Sequence, residues 1–89
     1  MSASEFEAAA KYVAGAKDMK VTNEDKLDFY KFYKQATVGD CNTQKPGMFQ
    51  MQQKYMWDAW NGISGMAKED AKVAYVALLD KLEPGWRSK

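Results

Sequence analysis

Apolar residues recur with helical spacing in four separate segments of this chain, and no run alternates convincingly with the period of two that a half-buried strand requires. In a chain of 89 residues, four such segments fill one domain and leave no room for a second core. The pattern therefore predicts an all-α fold of four helices in a single domain, residues 1–89.

Residues typical of helix ends mark the limits of these segments. Ser2-x-x-Glu5 has the form of a capping box and opens the first helix. Thr22 marks the start of the second, and Gly39 is the kind of residue that ends a helix just past its last turn. The expected bounds are Ser2 to about Gly15, Thr22 to Gly39, about 50 to 63, and about Ala67 to Leu79 or beyond, before Pro84-Gly85.

The charge and cysteine content narrow the range of partners. Thirteen Lys and Arg residues against twelve Asp and Glu give no basic excess, so we expect no nucleic-acid partner. No window approaches the roughly 18 apolar residues of a spanning helix, and the first residues lack a signal-peptide pattern, so we expect no stable membrane insertion. One cysteine, Cys41, cannot form an internal disulfide, which favours a cytoplasmic location.

The chain contains no histidine, which removes the commonest general base and the commonest zinc ligand. We therefore expect no metal site, no cofactor and no enzymatic activity. Catalysis by carboxylates alone stays open as the least favoured alternative, a thioester hydrolase. Asp58, Glu69 and Asp70 are better explained as capping and solvated residues at helix surfaces.

One stretch carries a specific pattern. Residues 30–43 read Tyr-Lys-Phe-Tyr-Lys-Gln-Ala-Thr-Val-Gly-Asp-Cys-Asn-Thr, followed by Pro46-Gly47 and by Trp-Asp-Ala-Trp at 57–60. This order and spacing resemble the acyl-CoA-binding protein family from Phe6 to about Leu82. The resemblance implies an up-down-down-up four-helix bundle. It also implies non-covalent binding of medium- to long-chain fatty acyl-CoA esters by a monomeric intracellular carrier and pool former.

The second helix supplies the centre of the implied site. Tyr30, Tyr33 and Lys34 have i, i+3 and i+4 spacing, so they can present a ring face to a purine and an ammonium group to a phosphate. Tyr75 is similar to a family tyrosine whose hydroxyl reaches the phosphate region, although it can also pack between helices. The resemblance implies ligand contacts at Tyr30, Lys31, Phe32, Tyr33, Lys34, Met56 and Tyr75, and an acyl groove that includes Ala10, Val13, Lys26 and Leu27. Of the paired tryptophans, Trp60 is expected in the core, while Trp57 fits either packing or the ligand border.

The start of the third helix departs from the family pattern. Met56 stands where the family has a principal phosphate-binding lysine, and Gln52 where another lysine is often found. Ala14 replaces a basic contact, and Lys26 an apolar groove residue. These changes leave a second hypothesis open, a helical protein-interaction module with weakened or lost acyl-CoA binding.

Overall fold

The computed structural model describes residues 2–16 and 19–88 of the chain, with side chains described from residue 5 onward. Within these residues it contains α-helices and turns and no strand, so the all-α prediction is confirmed. The Ser2 side chain, and with it the predicted capping box, lies outside the described residues. The helices are α1 (Ser2–Gly15), α2 (Asn23–Thr37), α3 (Met51–Asn61) and α4 (Lys68–Leu82), followed by a 3₁₀ turn at Trp86–Ser88.

The start of α2 has the cap that its sequence indicates. The Asp25 backbone N–H donates to the Thr22 hydroxyl, and the Thr22 backbone N–H donates to the Asp25 carboxylate, each at 3.0 Å. Two N–H groups that the helix leaves without partners are thereby satisfied.

The predicted bounds of α3 were too wide. The helix begins at Met51 without a side-chain cap on Gln50, and it ends at Asn61 instead of 63. Residues 62–65 form turns that close with Gly65 at φ +99°, a conformation that favours glycine. The shorter helix follows from this turn, which sequence spacing alone does not locate.

Contacts along α1 and α4 show that these helices run in the same direction. The Phe6 ring lies 5.2 Å from the Tyr75 ring, and further along both helices the Tyr12 hydroxyl donates to the Glu83 carboxylate at 3.3 Å. The contacts thus follow the same order along both helices, as in a parallel pair.

The directions of α2 and α3 follow from contacts at their C-terminal ends. The Gln35 side-chain amide, near the end of α2, donates to the Met66 carbonyl just before α4, so α2 is antiparallel to α4. The Trp60 indole, near the end of α3, donates to the Gly39 carbonyl just after α2, so α3 is parallel to α2. The predicted up-down-down-up arrangement is confirmed.

The core lies between α1, α2 and α4. Phe6, Phe29 and Tyr75 form edge-to-face ring contacts, with Leu79 fully buried beside them. Small residues allow the helices to approach closely: Ala9, Ala36 and Ala71 are all buried. α3 packs mainly on α2.

The C-terminal turn closes one end of this core. The Trp86 side chain is 5% exposed, and its indole donates to the Asp80 carboxylate at 2.7 Å. The Arg87 guanidinium then bridges Asp80 at 2.7 Å and Glu5 on α1 at 2.9 Å.

Among the described residues, the helices are all too short or too polar to cross a membrane.

Candidate functional site

The expected ligand residues on α2 point to two sides of the helix. The Lys34 ammonium lies 5.0 Å from the centre of the Trp60 ring, on the side that faces α3. The Tyr33 ring instead lies 5.9 Å from Phe6 and 6.3 Å from Tyr75, on the side of α1 and α4. The structure therefore separates two residues that helical spacing groups on one patch.

Helical spacing places Tyr30 about 40° from Lys34 around α2 and about 60° from Tyr33, so we group it with Lys34. The Tyr30 side chain is half-buried. Burial, and to a smaller extent the nearby Cys41, raises the pKa of the Tyr30 phenol. The phenol therefore stays protonated at neutral pH and can donate a hydrogen bond.

Tyr75 lies in the aromatic core, with only 3% of its side chain exposed. Its ring packs edge-on against Phe6 and Phe29 at 5.2 and 5.1 Å. Burial, followed by the neighbouring Tyr33 phenol, raises the pKa of Tyr75 to about 12. The structure thus places Tyr75 as a packing residue whose phenol is neutral.

Lys31 and Phe32 contact each other and their own helix. The Lys31 ammonium pairs with Asp28 at 3.0 Å and lies 5.1 Å from the centre of the Phe32 ring. The Phe32 side chain is half-buried and packs against the core. To contact a phosphate, Lys31 would have to leave this partly exposed ion pair with Asp28.

Helical spacing indicates that Met56 is on the side of α3 that faces α2, where its side chain is half-buried. It precedes the buried Trp60 by four residues, so both belong to one stripe of the helix. The stripe extends back one turn to Gln52, which lines a groove together with Leu27 of α2. Because the two helices are parallel, we expect Met56 between these contacts, opposite Tyr30.

The expected acyl-groove residues border three depressions between the helices. A cavity of about 560 Å³ between α1, α2 and α4 is lined by Phe6, Glu7, Ala10, Tyr33, Ala36, Thr37, Lys68 and Lys72. A groove of about 400 Å³ is lined by Val13, Ala16, Met19, Val21, Lys26 and Phe29. A third, of about 320 Å³ between α2 and α3, is lined by Asn23, Glu24, Lys26, Leu27, Gln52 and Tyr55.

Lys26 links two of these depressions. It borders the groove that contains Val13 and also the groove that contains Leu27. Ala10 lines the separate cavity beside Tyr33. The four groove candidates are therefore distributed along α1 and α2 and do not share one cavity.

Comparison with known proteins identifies the family. The family model described as acyl CoA binding protein matches residues 3–79. The chain belongs to the acyl-CoA-binding protein family. The resemblance noted in its sequence is thereby confirmed.

Solved structures from this family share the fold. The solution structure of acyl CoA binding protein from Babesia bovis is 62% identical, has a TM-score of 0.87, and covers 98% of this chain and 99% of that one. The crystal structure of Oryza sativa acyl-CoA-binding protein 2 is 41% identical, with a TM-score of 0.84, and covers 91% of this chain and 87% of that one.

Curated relatives include both short and long proteins. Acyl-CoA-binding protein from Saccharomyces cerevisiae is 46% identical over 63 residues, which are 71% of this chain and 72% of that relative. Acyl-CoA-binding domain-containing protein 5 from Xenopus tropicalis is 52% identical over 61 residues, or 68% of this chain. The chain spans only 13% of that longer relative.

Two features of this acyl-CoA-binding fold were missed by reasoning from the sequence. Lys68 and Lys72 line the cavity beside Tyr33, and their i, i+4 spacing could have indicated a shared face. Lys72 also pairs with Glu69 at 3.1 Å.

The second missed feature is a polar network at the end of α2. Gln35 is fully buried, and its side-chain amide donates to Asp40 at 2.8 Å and to the Met66 carbonyl at 2.7 Å. The Gly65 backbone N–H donates to the same Asp40 oxygen at 2.7 Å. The hydrogen bond from Gly65, and to a smaller extent the one from Gln35, lowers the pKa of Asp40. The network ties the loop after α2 to the start of α4.

Among the described residues, no group of three or more His, Cys, Asp or Glu side chains could hold a metal ion.

Proposed function

We propose that the chain binds medium- to long-chain fatty acyl-CoA esters non-covalently and acts as an intracellular carrier and pool former. Family membership over residues 3–79 supports this proposal. The structural observation that carries it is that the interface between α2 and α3, which we call the seam, is apolar at one end and cationic at the other. Leu27 lines a groove at one end of this seam, and Lys34 lies over Trp60 about 10 Å further along, at 1.5 Å per helical residue.

The change from an apolar to a cationic end fits an amphipathic ligand. An acyl chain gains about 0.8 kcal/mol for each methylene group that it buries, so it favours the groove end. A phosphate gains a charge-assisted hydrogen bond from an ammonium group, so it favours Lys34. Tyr30 lies between these ends and offers a ring face and a neutral hydroxyl.

We assign supporting roles to the remaining candidates. Tyr33 borders the cavity that contains Ala10, where it can contact an adenine or pantetheine group from the α1 side. Lys31 and Phe32 border the same turn of α2. Tyr75 packs against the rings of Phe6 and Tyr33, and we assign its hydroxyl as a weak donor to the ligand.

The ligand is expected to leave chemically unchanged. The sequence has no histidine, and the raised pKa of Tyr75 keeps that phenol from acting as a base at neutral pH. We accordingly propose that residues 1–89 form one monomeric, cytoplasmic acyl-CoA-binding domain without enzymatic activity.

Calorimetric titration with acyl-CoA esters of increasing chain length tests the function. We expect one saturable site whose affinity rises with chain length until the grooves are full, and much weaker binding of free coenzyme A. Absence of saturable heat for every ester, with helicity intact, would contradict the proposal and favour an interaction module. Release of free thiol during incubation would reveal a hydrolase.

A further inference from the structure

Large apolar side chains are exposed together at the start of α3. Phe49 is 95% exposed and Met48 71%, and Met51 and Tyr55 are 51% exposed each. We call these four residues the apolar tip. A soluble domain commonly exposes single apolar side chains, but a contiguous group marks an interaction surface.

The local backbone holds the tip away from the core. Pro46-Gly47 precedes it, and the Gln50 backbone N–H closes a turn onto the Gly47 carbonyl at 3.0 Å. Met51 and Tyr55 then lie four residues apart on one stripe of α3. Met48 and Phe49 therefore project from a turn directly beside an exposed apolar helical stripe.

The charged residues next to the tip along the chain are all basic, and Glu24 of α2 is the acidic residue that shares the groove beside Tyr55. Between Asp40 and Asp58 the sequence contains no acidic residue, whereas Lys45 precedes the tip and Lys54 lies within it, next to Tyr55. The N-terminus of α3 adds partial positive charge, and no acidic residue occupies its first turn. The surface thus combines exposed apolar groups with a cationic border.

We propose that the apolar tip docks peripherally and reversibly on an anionic lipid bilayer. Phe49 and Met48 would enter the boundary between headgroups and acyl chains, while Lys45 and Lys54 contact lipid phosphates. A second copy of this chain is a poorer occupant, because it would bring like-charged lysines together. A bilayer supplies both apolar depth and negative charge.

Docking would also orient the molecule. Tyr55 belongs to the tip and lines the groove that contains Leu27. That groove would consequently open beside the bilayer surface. This last step rests on the proposed function, whereas docking itself does not.

Vesicle co-sedimentation of the ligand-free protein tests the proposal. The protein should bind phosphatidylcholine vesicles that contain phosphatidylserine, and bind pure phosphatidylcholine far less. Phe49→Ser should weaken binding about tenfold through lost apolar burial. Lys45→Gln and Lys54→Gln should each weaken it about fivefold, with a smaller effect at high salt.

Val73→Ser is the matched control, because Val73 is 55% exposed on α4, away from the tip. It should bind vesicles like the unaltered protein. Circular dichroism checks that each variant is folded, and acyl-CoA titration of Phe49→Ser should show unchanged affinity. If the proposed function is wrong, only the acyl-CoA titration fails, while vesicle binding is unaffected.

Equal vesicle binding by the unaltered protein and Phe49→Ser would overturn the proposal. So would an absence of binding to anionic vesicles. A dimer in sedimentation velocity that Phe49→Ser abolishes, without vesicle binding, would assign the tip to a second copy instead.

Discussion

α3 and α4 both pack on α2, but they are held by different interactions. α4 buries Ala71, Tyr75, Val76 and Leu79 against its neighbours. In α3, all of whose residues are described, Trp60 alone is buried. Directional bonds supplement this contact, from the Trp60 indole to the Gly39 carbonyl at 2.8 Å and from the Trp57 indole to the Thr43 carbonyl at 2.9 Å.

Because α4 buries more apolar side chains than α3, we expect α4 to determine stability more and α3 to determine binding more. Local opening costs least where few apolar contacts are buried, so α3 should open more readily than α4. The proposed acyl-CoA seam lies between α2 and α3. A change in the core should therefore alter the free energy of unfolding, and a change at the seam should mainly alter affinity.

The largest expected effect is a loss of stability when a core residue of α4 is changed. Leu79→Ala should lower the free energy of unfolding by about 2–5 kcal/mol, because Leu79 is fully buried and its removal leaves a cavity. Urea denaturation followed by circular dichroism measures the change. Tyr55→Ala on α3, where the side chain is 51% exposed, should stay within about 0.5 kcal/mol. Similar losses in both variants would erase the contrast between the helices.

The next largest effect is a loss of acyl-CoA affinity when a residue of the seam is changed. Lys34→Ala should weaken acyl-CoA binding by about 1.5–3 kcal/mol, the range for a hydrogen bond to a charged group. Lys81→Ala, an exposed lysine in the last turn of α4, serves as the control and should leave calorimetric affinity unchanged. An unaltered dissociation constant for Lys34→Ala, with intact helicity, would remove Lys34 from the site.

Restoring a charge on α3 should have a smaller, favourable effect. Met56→Lys should tighten acyl-CoA binding by about 1 kcal/mol, because the site is open to water and screened. The gain should shrink at high salt and vanish for a ligand without the 3′-phosphate. Asn61→Lys adds the same charge about 140° away around α3 and should produce no gain. Equal gains for ligands with and without the 3′-phosphate would show that Met56 does not face that group.

The smallest expected effect on acyl-CoA binding is at Tyr75. Its folded pKa of about 12 lies above the ordinary 10.0, so its contribution to stability is present below pH 10 and is lost as the pH rises towards 12. Tyr75→Phe should flatten this alkaline loss in urea unfolding, while Tyr55→Phe should not. Binding should weaken by about 0.5 kcal/mol, the low end for a neutral hydrogen bond, because the side chain is buried. A neutral binding result would make Tyr75 a packing residue alone.

Sequence periodicity predicted α2 and α4 well because both carry local end signals. Thr22 and Asp25 form the cap at the start of α2, and Pro84 follows the end of α4. The expectation that Trp60 belongs to the core is confirmed by its 2% exposure. The end of α3 was placed too late, because the turn before Gly65 is set by contacts with Asp40, 25 residues away.

The site was harder to predict than the fold. Helical spacing shows which residues share a face, but it does not say which neighbouring helix that face meets. Tyr33 and Lys34 diverge for this reason, one towards Phe6 and the other towards Trp60. Burial likewise depends on partners far along the chain. Gln35 donates to the Met66 carbonyl, and the Trp86 ring packs near Tyr12.

The three tryptophans give each part of the fold its own optical signal. Trp86 is buried beside Tyr12, at the closed end of the core. Trp60 is buried at the seam with a lysine over its ring, and Trp57 is half-buried with Lys45 at 5.9 Å. Nearby cations and differing solvent access shift and quench indole emission, so variants that retain one tryptophan would report separately on the core, the seam and the loop before α3.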